Sequence, residues 1–190
     1  MSSLKADFNE LMERIRRGRE LSYASFEPIF YLVFHPDKMV EVKRETTAWK
    51  AKLSNEGWDV HLFSISDNIA DIFRNAKLRK IWIAGDKKAP HEWKKTNQSL
   101  ANALEKGELQ TRLEDLLQSV SHTKNAIVLV TDLEALHPYM RIGSIEGQLQ
   151  GKFQVPTLFF YPGVRTGNSQ LKFLGFYPED GNYRSVHVGG

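Results

Sequence analysis

The stretch from Ala126 to Gly163 constrains the fold more than any other part of the chain. It opens with Ala126-Ile-Val-Leu-Val-Thr-Asp132 and continues through Leu133-Glu-Ala-Leu-His137-Pro138-Tyr139-Met140-Arg141 into a helical run to Phe153. It closes with Val155-Pro-Thr-Leu-Phe-Phe-Tyr-Pro162-Gly163. Two short apolar runs rich in β-branched and aromatic residues thus bracket a connection of helix length. That is the pattern of two buried parallel strands joined by a crossover helix. Polar and turn residues follow the carboxyl end of each run, the edge where open α/β sheets bind their ligands.

The preceding residues extend this pattern. Leu4, Phe8, Leu11, Met12 and Ile15 recur at helical spacing, which predicts an amphipathic helix over 3–17, capped by Ser2 or Ser3 and ended by Gly18. Arg14, Arg16, Arg17 and Arg19 on it are nearly balanced by Asp7, Glu10, Glu13 and Glu20, as on a solvated face. Pro28 to Phe34 is apolar throughout and reads as a central strand. A helix follows from about Lys38 to Glu56, ended by Gly57. Trp58 to Ile65 alternates as a second strand, and Ser66 is placed to cap the next helix.

Residues 77–121 are ambiguous in detail. Ile81 to Ala84 fits a short strand or a continuing helix, Pro90 suits the first turn of a helix, and Leu109, Leu113, Leu116 and Leu117 mark a helix over Glu108 to Val120. This block is too long for a simple crossover and reads as a helical insertion between strands 2 and 3. Beyond Gly163 the chain is turn-rich to Ser169, with short strands expected at Leu171 to Leu174 and near Asn182 to Val188. The expected architecture is α/β: a single domain over 1–190 with a small, mostly parallel sheet of about four to five strands flanked by helices.

Composition closes off several kinds of chemistry. Without cysteine there are no disulfides, thiolate nucleophiles or Cys-type metal sites. No run of about 18 uncharged apolar residues offers a membrane span, and the amino-terminal segment lacks the apolar core of a signal peptide, so a cytoplasmic location is expected. The net charge of +3 is small, but its distribution is uneven. Lys77, Arg79, Lys80, Lys87, Lys88, Lys94 and Lys95 lie among only two acids, Asp86 and Glu92, with Trp82, His91 and Trp93 interleaved. Such a segment can bind nucleic acid or an acidic protein, or it can be a solvated helix with inward tryptophans.

Catalytic motifs fail on inspection. Gly147-Gln-Leu-Gln-Gly151-Lys152-Phe153 is one residue short of a phosphate-binding loop and has Phe153 where a magnesium-binding hydroxyl belongs. It also leads into a strand rather than out of one, so it reads as a helix carboxyl end. Ile127 to Asp132 resembles a Walker B strand. Without a phosphate loop to present magnesium, Asp132 reads as a turn or cap residue. His137 with Asp132, or His35 with Asp37, can form general-base pairs, yet nothing completes either set. Arg141 can hold an anion at this rim or pair internally with Asp132 or Glu134. No metal site, cofactor or catalytic residue is expected.

The element order, Pro138-Tyr139-x-Arg141, the strand Pro156-Thr-Leu-Phe-Phe-Tyr-Pro162-Gly163, and a tail with Leu171-x-Phe-x-Gly175 before Asp180-x-x-Tyr183-Arg184 together resemble the BrxB family of bacteriophage-exclusion (BREX) defence systems. The chain departs from that family's pattern after the third strand, where glycines are usual and it has Asp132, Glu134 and Ala135. The resemblance implies a non-catalytic adaptor in a multi-protein complex. A PglZ-type phosphatase-like protein is the expected partner, with other BREX subunits alongside it and DNA reached through the complex. Tyr139, Arg141 and Arg184 are the partner-binding candidates. Two alternatives remain: a DNA-binding accessory using the basic segment, and a degenerate nucleotide-binding enzyme or hydrolase in which His35, His137 and Asp132 would converge.

Overall fold

Three all-apolar runs form the middle of one sheet, because each is covered on both faces. The computed structural model describes residues 3–20, 27–166, 170–180 and 185–190. Its elements are α1 (Leu4–Glu20), β1 (Ile29–Phe34), α2 (Met39–Asn55), β2 (Asp59–Ser64) and α3 (Ile65–Asn75), followed by α4 (Arg79–Lys88), α5 (Trp93–Leu104) and α6 (Glu108–Val120). Then come β3 (Ala126–Thr131), α7 (Ile142–Gln148), β4 (Thr157–Thr166), β5 (Gln170–Phe173), β6 (Glu179–Asp180) and β7 (Val186–Gly189). Short 3₁₀ turns at Pro36–Lys38 and Leu133–Leu136 follow β1 and β3.

The sheet runs β2-β3-β4-β1-β7, all neighbours parallel, with β5 and β6 added antiparallel beyond the second half of β4. The architecture is therefore α/β with a mostly parallel sheet, as the apolar runs predict. Alternate side chains enter separate cores. Phe30, Leu32, Ile127, Leu129, Leu158 and Phe160 point to the face covered by α1 and α2. Tyr31, Val33, Val128, Val130, Phe159 and Tyr161 point to the face covered by α3, α6 and α7. The β1-to-β2 crossover uses the first face, while the crossovers from β2 to β3 and β3 to β4 use the second and move the opposite way along the sheet. Opposite directions on opposite faces give all three the same hand.

Aromatic packing fixes the layers. Phe8 of α1 stacks on Trp49 of α2 at 4.3 Å, and Trp49 meets Phe160 edge-on. On the other face Tyr31 is fully buried, and its hydroxyl donates to Glu146 of α7 at 2.6 Å, so this polar atom enters the core satisfied.

Some local expectations hold, some open readings are settled, and others are corrected. Ser3 caps α1, its Oγ accepting from the Ala6 N–H at 3.2 Å, but the helix continues past Gly18 to Glu20. Ser64, not Ser66, caps α3 by accepting from the Asp67 N–H at 3.1 Å. Residues 81–84 are helical, within α4. Pro90 lies in the turn between α4 and α5, and α5 starts later, at Trp93. The run toward Phe153 is helical only over Ile142–Gln148, with Gly151 at φ +83° after it, so Gly147 to Lys152 is a helix terminus. Residues 163–166 are not turn but the second half of β4.

Candidate functional site at the carboxyl edge of the sheet

Strands β1, β2 and β3 end together, and the two faces of their shared rim carry different chemistry. On the α2 face lies a cleft of about 380 Å³ whose apolar lining includes Phe34, Leu62 and Phe160. Asp132 stands at its edge, in the left-handed backbone region at φ +60°, which aspartate tolerates better than most side chains. Its carboxylate accepts from the Ser64 hydroxyl at 2.8 Å and the Thr131 hydroxyl at 2.9 Å, and pairs with Lys43 of α2 at 3.0 Å. Lys43 also meets Glu134 at 2.8 Å. Burial pushes the Asp132 carboxyl up, but the hydrogen bonds from Ser64, Lys43 and Thr131 outweigh it and hold the group below its ordinary value. The Lys43 ammonium is shifted the other way, raised chiefly by its hydrogen bond to Glu134.

This cluster joins α2 to the ends of β2 and β3. Asp132 is thus a turn residue, as the sequence suggests, but its side chain is not a helix cap. A carboxylate filled by three donors is a poor general base, because each donor stabilises the ionised form that would have to take up a proton. The two candidate histidines lie elsewhere. His35 contacts the Asp37 carboxylate at 2.9 Å, and the His137 Nδ1 contacts the Tyr177 hydroxyl at 2.5 Å. Neither contacts Asp132.

On the opposite face the rim is aromatic and cationic. Arg141 precedes α7 and lays its guanidinium 4.8 Å from the centre of the Tyr177 ring. It pairs with neither Asp132 nor Glu134, and no carboxylate among the described residues forms an ion pair with it. Phe176 stacks on Tyr177 at 4.8 Å and remains 61% exposed, and His137 stands edge-on to both rings. Tyr139 is turned inward. It is half-buried against Phe73, with ring centres 5.4 Å apart, and burial raises its phenol above the ordinary value. Arg184 lies outside the described residues.

The basic segment forms a separate surface. Lys77, Arg79, Lys80, Lys87, Lys88, Lys94 and Lys95 are all exposed and stand on or beside α4 and the first turn of α5. Trp82 is buried and donates its indole N–H to the Ser99 hydroxyl at 2.8 Å, whereas Trp93 is 55% exposed with Lys94 over its ring.

Sequence reasoning missed Lys43, Phe176 and Tyr177. Lys43 carries no signal beyond being a polar position on α2, since its partners lie far away in the chain. Phe176 and Tyr177 follow Leu174 and Gly175, both at positive φ, and that turn brings their rings to the rim. Gly175 before two aromatics was the available clue.

Residues 61–188, about two thirds of the chain, match the family model described as BREX protein BrxB. No curated protein and no solved structure matches the chain. The matched span includes the aromatic rim and the basic helices, while Lys43 lies outside it.

Proposed function

The chain belongs to the BrxB family and is thereby a component of a BREX phage-defence system, within which we propose that it is a non-catalytic adaptor holding a PglZ-type phosphatase-like subunit at its aromatic rim. The observation that carries this reading is Arg141 lying over the Tyr177 ring beside the exposed Phe176. Contact with the ring holds the guanidinium in place without using its N–H groups, which can take a partner's carboxylate. Arginine and large aromatics are also the side chains that concentrate binding energy at protein interfaces. The Tyr177 ring is in turn packed against Phe173 of the core. The non-catalytic half of the proposal draws on the saturated Asp132 and on the separate engagements of His35 and His137.

The test is co-expression with the PglZ-type protein of the same system, followed by nuclease treatment and titration of the purified subunits. Arg141→Glu and Phe176→Ala should each weaken the pair by about 2 kcal/mol, roughly thirtyfold in Kd, and nuclease should leave it intact. Wild-type affinity in both variants removes the rim as the binding surface. Hydrolysis of ATP or a generic phosphoester, lost in His137→Ala, would replace the adaptor with an enzyme.

A further inference from the structure

The residues from Lys77 to Lys95 carry seven cations and two acids, so this segment alone is more positive than the whole chain at +3. None of the seven cations forms an ion pair among the described residues. One of the two acids is already occupied, Asp86 accepting from the Thr96 hydroxyl at 2.7 Å. The surface therefore keeps a net positive charge: seven cations outnumber two acids, and among the described residues no ion pair ties any of the seven down.

It also presents hydrocarbon. Ile81 is 65% exposed, Trp93 55%, Ile83 43% and Leu78 42%. Leu78, Ile81 and Ala84 follow one another at three-residue spacing and form a stripe along α4, with Lys80, Lys87 and Lys88 beside it. Single exposed apolar residues are ordinary, but Leu78 and Ile81, three residues apart, lie on neighbouring sides of α4 and Trp93 opens α5 next to it, while Ile83 faces another way. A nucleic-acid backbone would use the cations and could stack a base on Trp93. It would gain nothing from Leu78, Ile81 or Ile83.

We propose that α4 and the start of α5 form a second docking surface, whose occupant is an acidic protein segment with apolar side chains along one face. Carboxylates of that segment would meet Lys80, Lys87, Lys88 and Lys94, while its apolar face covers Leu78, Ile81 and Trp93. α4 is about 15 Å long, so a helical segment of about ten to twelve residues matches it. This surface does not depend on the rim patch, and the two can be tested separately.

The experiment is a fluorescence-anisotropy titration of the full chain with three labelled probes. One is a helical glutamate–leucine peptide of about twelve residues with leucines at i, i+3, i+4 and i+7, and the second replaces those leucines by serine. The third is a duplex DNA of about twenty base pairs. The leucine peptide should bind at least about tenfold more tightly than the serine peptide, and Ile81→Ser should remove most of that advantage. Lys87→Glu with Lys88→Glu should weaken both peptides, and Arg141→Glu should change neither. All substituted positions are exposed or at the rim, and circular dichroism checks that each variant is folded. Equal affinity for the two peptides, no binding of either, or loss through Arg141→Glu overturns the proposal. So does DNA binding tighter than the leucine peptide and indifferent to Ile81→Ser, which would mark a nucleic-acid surface.

Discussion

His187 shows how one side chain can make stability depend on pH. It is 8% exposed on β7, edge-on to Tyr31, with its Nε2 2.9 Å from the Ser185 hydroxyl. Burial, aided by the nearby Arg165 charge, lowers its pKa from 6.5 to about 4. In the folded chain the ring therefore stays neutral where the unfolded chain would take up a proton. Above pH 6.5 neither state is protonated and nothing is lost. As pH falls from 6.5 toward 4 the unfolded state gains a proton that the fold refuses, so stability declines. At about 1.4 kcal/mol per unit, the loss at the lower end is on the order of 3 kcal/mol. His187→Gln should flatten the urea midpoint across that window relative to the parent. Parallel pH profiles for the two proteins would show that the ring titrates alike in both states. The depressed Asp132 carboxyl acts at lower pH. Its contribution is present above the ordinary value of 3.8 and is lost as pH falls through its lowered folded value, so the two effects separate on one pH series.

At the scale of elements, β4 is the piece on which the fold turns, because it changes partners in mid-course. Phe34 opposite Pro162 is its last rung with β1, and Gly163 opposite Phe173 is its first with β5. Proline cannot donate to a ladder, which suits the end of the parallel pairing. The Pro162 carbonyl still accepts from the Leu174 N–H at 2.8 Å. Gly163 is required by contact: a Cβ there would lie 2.6 Å from the Lys172 carbonyl oxygen and 2.5 Å from the Tyr161 ring. Gly163→Ala should cost about 1–3 kcal/mol, read as a lower urea midpoint at unchanged slope. A midpoint within error of the parent would mean that β5 moves aside freely. Local chemistry reads Pro-Gly as a turn, and only β5, added from further along the chain, keeps it extended. The same limit explains the other misreadings. Strands β1, β3 and β4 were legible because burial on both faces leaves an unbroken apolar run, and α6 because its leucines keep helical spacing. Whether Ser64 or Ser66 caps α3 depends on where β2 stops, and the pairing of Ser64 with Thr131 sets that point. α4 buries a single side chain, Trp82, so it had no periodicity to read. Of the rim, Arg141 could be picked out as a charge beside the third strand. Which aromatic it would lie over depended on the turn at Leu174 and Gly175.

The whole molecule then divides by how much each part buries. All six residues of β1 and all six of β3 are buried, and both strands lie between two apolar cores. α4 rests instead on the Trp82 ring edge-on to Phe73 and on the indole hydrogen bond to Ser99 of α5. A part held by so few contacts should open without the rest, since opening it exposes little of either core. Native-state hydrogen exchange should therefore show α4 amides exchanging by local opening, and β1 and β3 amides only by global unfolding. Trp82→Ala sharpens the expectation. Truncating a buried tryptophan costs about 3–5 kcal/mol where the loss is felt by the whole fold. Here it should fall mainly on the local step, speeding α4 and early α5 exchange by about a hundredfold or more while the slowest sheet amides change far less. Equal acceleration of sheet and α4 amides would make the projection an integral part of the cooperative core. A loosely held pair of helices that carries unpaired cations and exposed hydrocarbon can adjust to what it binds, whereas the aromatic rim, backed by Phe173 of the main core, presents a fixed surface.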